Sequence, residues 1–230
     1  NILERWPLRD WGPNSAQTVH HMAEAMKLAY ADRAEYLGDP AFVSVPLAGL
    51  TSKKYADTLA QHIRPDSARS AQTIKPGQPL PFESDQTTHY SVVDKAGNAV
   101  AVTYTLNTNF GSGIVAKGTG ILLNNEMDDF SAKPGVANAY GLVGGDANAV
   151  AAKKRPLSSM TPTLVLKDGK PTLVTGSPGG ARIITTVLQT VVNTIAFAHN
   201  PADAAATPRI HHQGPPDEPR GEKGLSPGPP

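Results

Sequence analysis

Cysteine is absent from the chain, which excludes a disulfide framework, a thiolate metal site and a cysteine nucleophile, and leaves Ser, Thr or Lys for covalent chemistry. An excess of one charge is also lacking. With 21 basic against 20 acidic residues and a net charge of +1, no bulk field selects nucleic acid or an anionic membrane surface as a partner. Long hydrophobic runs are missing too: the best stretch, residues 183–197, is interrupted by Thr, Gln and Asn, so no membrane span is expected. The opening Asn1-Ile2-Leu3-Glu4-Arg5-Trp6 has no initiator Met and none of the basic, apolar and small-residue sections of a signal peptide. A fragment or mature product is expected. What is present is ordinary for a globular protein: 230 residues, 39% hydrophobic and 18% charged, enough for one good core or two small ones.

Apolar residues Val19, Met22, Met26, Ala29, Tyr30 and Leu37 recur at three- and four-residue intervals behind Asn14-Ser15, predicting a helix from Asn14 to about Leu37 that Gly38-Asp39-Pro40 ends. Tyr55, Leu59 and Ile63 predict a shorter helix from Ser52 to Ile63. Residues 64–86 then turn polar and aperiodic, as suits an exposed, mobile connector and a natural place for a cut. At Thr87 alternation begins abruptly, and Asp94 to Asn98 turns the chain into Ala99 to Thr105, a strand hairpin. Thr163–Leu166 and Thr172–Thr175 predict a second hairpin. A helix from about Arg182 to Ala198 follows, with Ile184, Leu188, Val191, Val192 and Ile195 on its buried side. Strands leading to helices imply a layered sheet-and-helix domain. The Pro-rich stretch 214–230 is expected to lack structure.

Gln86-Thr87-Thr88 places a hydroxyl where connector meets strand. Thr87 could attack the preceding carbonyl, and cleavage would give it a free α-amine, of pKa roughly 7.7 to 8, as its own general base. Taken alone, Thr87 reads more readily as the ordinary start of a strand. Gly176-Ser177-Pro178-Gly179-Gly180 precedes a helix and could present N–H groups to an oxyanion, or be a plain turn. It is not a nucleophile elbow, and residues 111–118 are not a phosphate loop, since Lys117 precedes the glycine. Carboxylates in Asn124-Asn125-Glu126-Met127-Asp128-Asp129 could bind an ammonium group or a metal, although an exposed acidic turn is commoner. Ser158-Ser159 could donate to a carboxylate, although an ordinary polar turn is the commoner reading. His20-His21 and His211-His212 are read as surface residues with no metal-ligand spacing. His89 is expected to alternate away from Thr87.

Thr87 to Asp94, Asn124 to Pro134, Lys154 to Met160 and Gly176 to Gly180 together resemble the small subunit of the bacterial gamma-glutamyltranspeptidase family, over a stretch reaching about Gln213. Residues 1–86, with Ala31-Asp32-Arg33 and Glu35 to Pro40, resemble the end of that family's large subunit. The resemblance implies an α+β fold, the αββα four-layer sandwich of N-terminal-nucleophile hydrolases, incomplete in this chain. It divides the chain into 1–86 (end of the large subunit), 87–213 (catalytic region) and 214–230 (tail). Cleavage between Gln86 and Thr87 is implied, giving a heterodimer of large and small subunits, periplasmic or secreted. Thr87 would then attack a γ-glutamyl amide such as glutathione and pass the acyl group to water or to an amino-acid or peptide acceptor, with no metal or organic cofactor. In this resemblance Thr105 orients Thr87, and the N–H groups of Gly179 and Gly180 form the oxyanion hole. Asn107, Glu126 and Asp129 hold the substrate's α-ammonium, Ser158 and Ser159 its carboxylate, and Tyr140 belongs to a lid over 134–145. The family's carboxylate-pairing arginine is expected outside this chain. A glutaryl cephalosporin acylase on the same scaffold, or a noncatalytic uncleaved product, are the rival readings.

Overall fold

The computed structural model describes residues 1–74, 87–214 and 217–225. Short helices α1 (Leu8–Trp11) and α3 (Leu47–Leu50) lie on either side of the long α2 (Ala16–Tyr36), and α4 (Lys53–Ala60) follows. Both longer helices start at a serine cap: Ser15 accepts the Thr18 N–H and Ser52 the Tyr55 N–H, each at 3.1 Å, which satisfies a donor of the first turn. The α2 exit runs close to the turn at 146–148. A Cβ added at Gly38 would meet the Ala147 carbonyl oxygen at 2.1 Å, so only glycine permits the approach. Gly38→Ala is expected to cost about 1–3 kcal/mol, read as a lower thermal midpoint. Gly49→Ala, whose Cβ would meet nothing within 4 Å, is the control that should not lose stability in this way.

Strands β1 (Thr88–Val93) and β2 (Ala99–Tyr104) form one antiparallel hairpin, and β3 (Thr163–Lys167) and β4 (Lys170–Thr175) another. The hairpins lie against each other: Ser91 Oγ donates to the Val174 carbonyl at 3.3 Å. A Cβ on Gly176 would sit 2.2 Å from His89 Nδ1, so the chain leaves β4 directly over the His89 ring. From there it enters α5 (Arg182–Ile195) and then α6 (Pro201–Ala206). The architecture is α+β. Each sheet among the described residues has two strands, and Tyr90, Val92, Val100 and Tyr104 stay exposed on the first. No described helix is long and apolar enough to cross a membrane.

The predicted burial of α5 is corrected in part. Ile183, Thr185, Val187, Gln189 and Asn193 are its buried residues. Gln189 explains the polar face, because its amide donates to the Ile210 carbonyl at 2.7 Å and accepts the Ile210 N–H at 2.8 Å, acting as a neighbouring strand would. Of the residues expected on the buried side, Ile184 packs on the cluster of Tyr30 and Tyr140, and Leu188 and Val192 on that of Met22, Met26 and Ile210, each half-buried beside an open groove of about 740 Å³; Val191 lines that groove and Ile195 is exposed. Hydrophobic periodicity located the helix but could not reveal which neighbour is present.

The tail is also corrected over its described part. Strand β6 (Arg220–Gly221) pairs antiparallel with β5 (Ile210–His211), Arg209 and Glu222 form an ion pair at 3.0 Å, and Leu225 packs on the cluster of Met22, Met26 and Ile210. Proline-rich composition hid this local pairing. Three of the supposed surface histidines, His21, His211 and His212, are buried. His21 lies 4.7 Å from the rings of both Trp6 and Trp11. His211 hydrogen-bonds Thr185 and Gln213, each at 2.8 Å. His212 accepts the Gly214 N–H at 3.2 Å, and burial pushes its pKa down to about 4.

Candidate active site

Thr87 stands immediately before β1, and the β1–β2 register, with Thr88 opposite Tyr104, sets Thr87 across from Thr105. Their hydroxyl oxygens are 3.5 Å apart, longer than an ideal O–H···O bond of about 2.7–2.8 Å and close enough to tighten into one. Thr105 Oγ1 accepts the Asn107 N–H at 2.9 Å, which fixes that hydroxyl. Gln86 and the rest of 75–86 lie outside the described residues.

His89 does not alternate away from Thr87, because residues two apart on a strand share a face. What separates it from Thr87 is its hydrogen bonding: Nδ1 meets Thr103 Oγ1 at 2.8 Å and Nε2 meets Ser91 Oγ at 3.0 Å. Burial lowers its pKa. His89 therefore supports the packing of the two hairpins and not a triad.

Beyond β2 the backbone turns at Asn107, which has a φ of +77° and is 2% exposed. Asn107 Nδ2 donates to the Asn125 carbonyl at 3.2 Å, and the Asn107 carbonyl accepts the Tyr140 hydroxyl. Asn125 Oδ1 in turn accepts the Thr108 N–H at 3.2 Å. The strand end is thereby tied to the acidic 3-10 turn Glu126–Asp129. Burial, and then repulsion from Glu126, push the Asp129 carboxyl up to about 7, while Arg33 pulls it down. Glu126 is also raised by burial, and the two carboxyls share a hydrogen bond. Such a pair is poised to take up a cation, since an ammonium would relieve the repulsion.

Tyr140 is buried in a loop folded over this region. Asp128 Oδ2 accepts the Ala139 N–H at 2.9 Å, and Asn138 Oδ1 accepts the N–H groups of Tyr140 and Leu142, each at 3.0 Å. Burial raises the phenol's pKa, so the hydroxyl stays a donor at neutral pH.

Ser158 and Ser159 follow Arg155, whose guanidinium and N–H both bind the Asp39 carboxylate at distances from 2.6 to 3.0 Å. These bonds hold that carboxyl well below the usual range and anchor the serine segment to the α2 exit. Ser159 Oγ accepts Arg33 at 3.0 Å. Ser158 is exposed and its Oγ accepts the Met160 N–H at 3.0 Å. Buried Asn148, an ordinary polar residue in the sequence, bridges the two sides: its Nδ2 donates to the Asp129 carbonyl at 2.7 Å and its Oδ1 accepts the Leu157 N–H at 3.0 Å.

Gly179 and Gly180, with φ of +130° and +53°, lead into the N-terminal end of α5. That helix end favours a developing negative charge. Among the described residues, no group of His, Asp or Glu side chains is arranged to hold a metal ion.

Residues 1–228 match the family described as Gamma-glutamyltranspeptidase. The chain belongs to the gamma-glutamyltranspeptidase family. A glutathione hydrolase proenzyme of Escherichia coli K12 is 65% identical over 227 residues, covering 99% of this chain and 39% of that protein; the chain thus spans about two fifths of the length of that curated relative. The crystal structure of the Helicobacter pylori gamma-glutamyltranspeptidase T380A mutant is 63% identical, with a TM-score of 0.58 over 59% of this chain and 73% of that one. A cephalosporin acylase from Bacillus halodurans is 27% identical, with a TM-score of 0.68 over 91% of this chain and 35% of that one. These neighbours make the fold of this gamma-glutamyltranspeptidase family member that of an N-terminal-nucleophile hydrolase.

Proposed function

We propose that the protein carrying this chain is a gamma-glutamyltransferase and glutathione hydrolase that acts through Thr87. The observation that carries the reading is the approach of the Thr87 and Thr105 hydroxyls, 3.5 Å apart, at the open end of a hairpin whose second strand continues there into the Asn107 and Glu126–Asp129 cluster. Thr87 Oγ first attacks the Gln86 carbonyl; the peptide bond passes to an ester, and water hydrolyses it. The products are a large and a small subunit that remain paired as a heterodimer, periplasmic or secreted. The liberated α-amine of Thr87, with a pKa of roughly 7.7–8 when unperturbed, takes the hydroxyl proton as Oγ attacks the γ-glutamyl carbonyl. Thr105 holds the hydroxyl in line. The N–H groups of Gly179 and Gly180 receive the oxyanion.

The amine returns its proton to the leaving group, the C–N bond breaks, and an acyl ester stays on Thr87. Water or an amino-acid or peptide amine then attacks that ester by the same route. Asn107, Glu126 and Asp129 hold the substrate's α-ammonium, Ser158 and Ser159 its carboxylate, and Tyr140 closes the pocket through its bond to Asn107.

A glutaryl-type acylase is the alternative on this scaffold, favoured by the likeness to the Bacillus halodurans enzyme. The carboxyl pair of Glu126 and Asp129 opposes it, because a glutaryl group brings no ammonium to offset their repulsion. Hydrolysis of γ-glutamyl and glutaryl p-nitroanilides by the full-length protein separates the readings. A preference of at least about 10-fold in kcat/KM for the γ-glutamyl substrate is expected, the equivalent of one satisfied ion pair; a preference for glutaryl overturns the assignment.

A further inference from the structure

Arg33 is the cation of α2 that lies between the two polar ends of the site. Its Nη2 donates to Ser159 Oγ at 3.0 Å across 126 residues of sequence. It lines one cavity wall together with Asp129, and its charge opposes the upward shift of that carboxyl. We infer that Arg33 is a positioning residue that couples the ammonium-binding and carboxylate-binding halves of the substrate clamp and thereby sets specificity for an α-amino acid head group. The inference rests on the γ-glutamyl reading of the site.

The chemistry follows from what each partner gains. Ser159 accepts from Arg33 through an oxygen lone pair, which leaves its own O–H free to donate to a substrate carboxylate and polarises it for doing so. Asp129 must be ionised to hold an ammonium. The charged and titratable groups that bear on it are Glu126 and Asp128 on its own turn, Arg33 from α2 and Tyr140 from the overlying loop. The carboxylates disfavour ionisation, burial keeps the Tyr140 phenol protonated, and Arg33 supplies the opposing positive charge. Burial lowers the pKa of Arg33 itself, and Tyr30 and Asp129 counter that shift. A guanidinium still keeps its proton at neutral pH. Removing Arg33 therefore raises the pH at which Asp129 ionises and frees the Ser159 hydroxyl to turn away.

The test uses the full-length protein with Arg33→Met and Arg33→Lys, both anilide substrates, and kcat/KM measured from pH 5 to 9. Cleavage ahead of Thr87 is scored first. For Arg33→Met, KM for the γ-glutamyl anilide should rise about 10- to 100-fold, as for loss of one partner of a buried charge pair, with kcat changed by less than about 3-fold. The acidic limb of kcat/KM should move to higher pH with the γ-glutamyl substrate and stay in place with glutaryl, because the Thr87 amine titrates in both cases and Asp129 matters only where an ammonium binds. Arg33→Lys keeps the charge and loses the planar fork, so its limb should stay near the parent's while KM rises. That variant decides the matter if Arg33→Met is not cleaved.

Unchanged KM in both variants overturns the inference, as does an equal loss of kcat on both substrates. Failure of the parent protein to prefer the γ-glutamyl anilide would instead reject the proposed function itself.

Discussion

Replacing Thr87 with alanine is expected to leave one uncut chain and to lower γ-glutamyl anilide hydrolysis by about 10⁴-fold or more, the scale of losing a nucleophile that acts as a unit with its base. The same side chain is asked to do two jobs. It attacks the Gln86 carbonyl and then, as a free N-terminus, the substrate, so no second residue can rescue either step. Thr105 is already tied to the Asn107 N–H at 2.9 Å, and His89 is held by Thr103 and Ser91. Thr87→Ser keeps a hydroxyl in place and should retain cutting and part of the activity. Gel mobility, intact mass and anilide kinetics on the same preparations check all three statements.

Asp129→Asn is expected to raise KM for the γ-glutamyl anilide by about 100-fold, the middle of the range for removing one member of a desolvated charge pair. Its effect on stability runs the other way. The folded carboxyl titrates near 7, above its unfolded value of about 3.9, so the folded state binds more protons across that interval. Stability is therefore present at low pH and is lost as pH rises from about 4 to 7. Asparagine carries no such titration, and the variant should be at least as stable as the parent at pH 8. For the same reason kcat/KM of the parent should climb as Asp129 ionises, and Asp129→Asn should remove that part of the climb. Thermal midpoints at pH 5 and 8, beside kinetics at both, test the pairing of lost affinity with retained stability.

What could be read from the chain follows the range of the interactions involved. The α2 helix is announced by a serine cap and a sustained apolar period, and both hairpins by alternation broken at Asp94–Asn98 and at Lys167–Lys170; these are local signals. The relation of Thr87 to Thr105 is implied by the family resemblance, and the β1–β2 register sets the two residues opposite each other. Three features escaped for one shared reason, that their partners are distant. Gln189 makes a polar helix face buriable only because the Ile210 backbone lies against it. Asn148 joins the Asp129 carbonyl to the Leu157 N–H. Arg33 bonds a serine 126 residues away. In the sequence each is an ordinary polar residue, and only the fold gives it a role. The buried histidines belong with them, since a histidine's polarity says nothing of whether Thr185 or Asp217 waits beside it.

Whether Thr87 is a self-liberated N-terminal nucleophile is decided by intact-mass analysis of the full-length protein before and after a brief exposure to a slowly turned-over γ-glutamyl ester. On that assignment two polypeptides are expected, the smaller beginning at Thr87 and gaining the mass of one γ-glutamyl acyl group that maps to that residue. A single uncut chain that nevertheless hydrolyses the substrate, or an acyl group mapped to any other side chain, would contradict it.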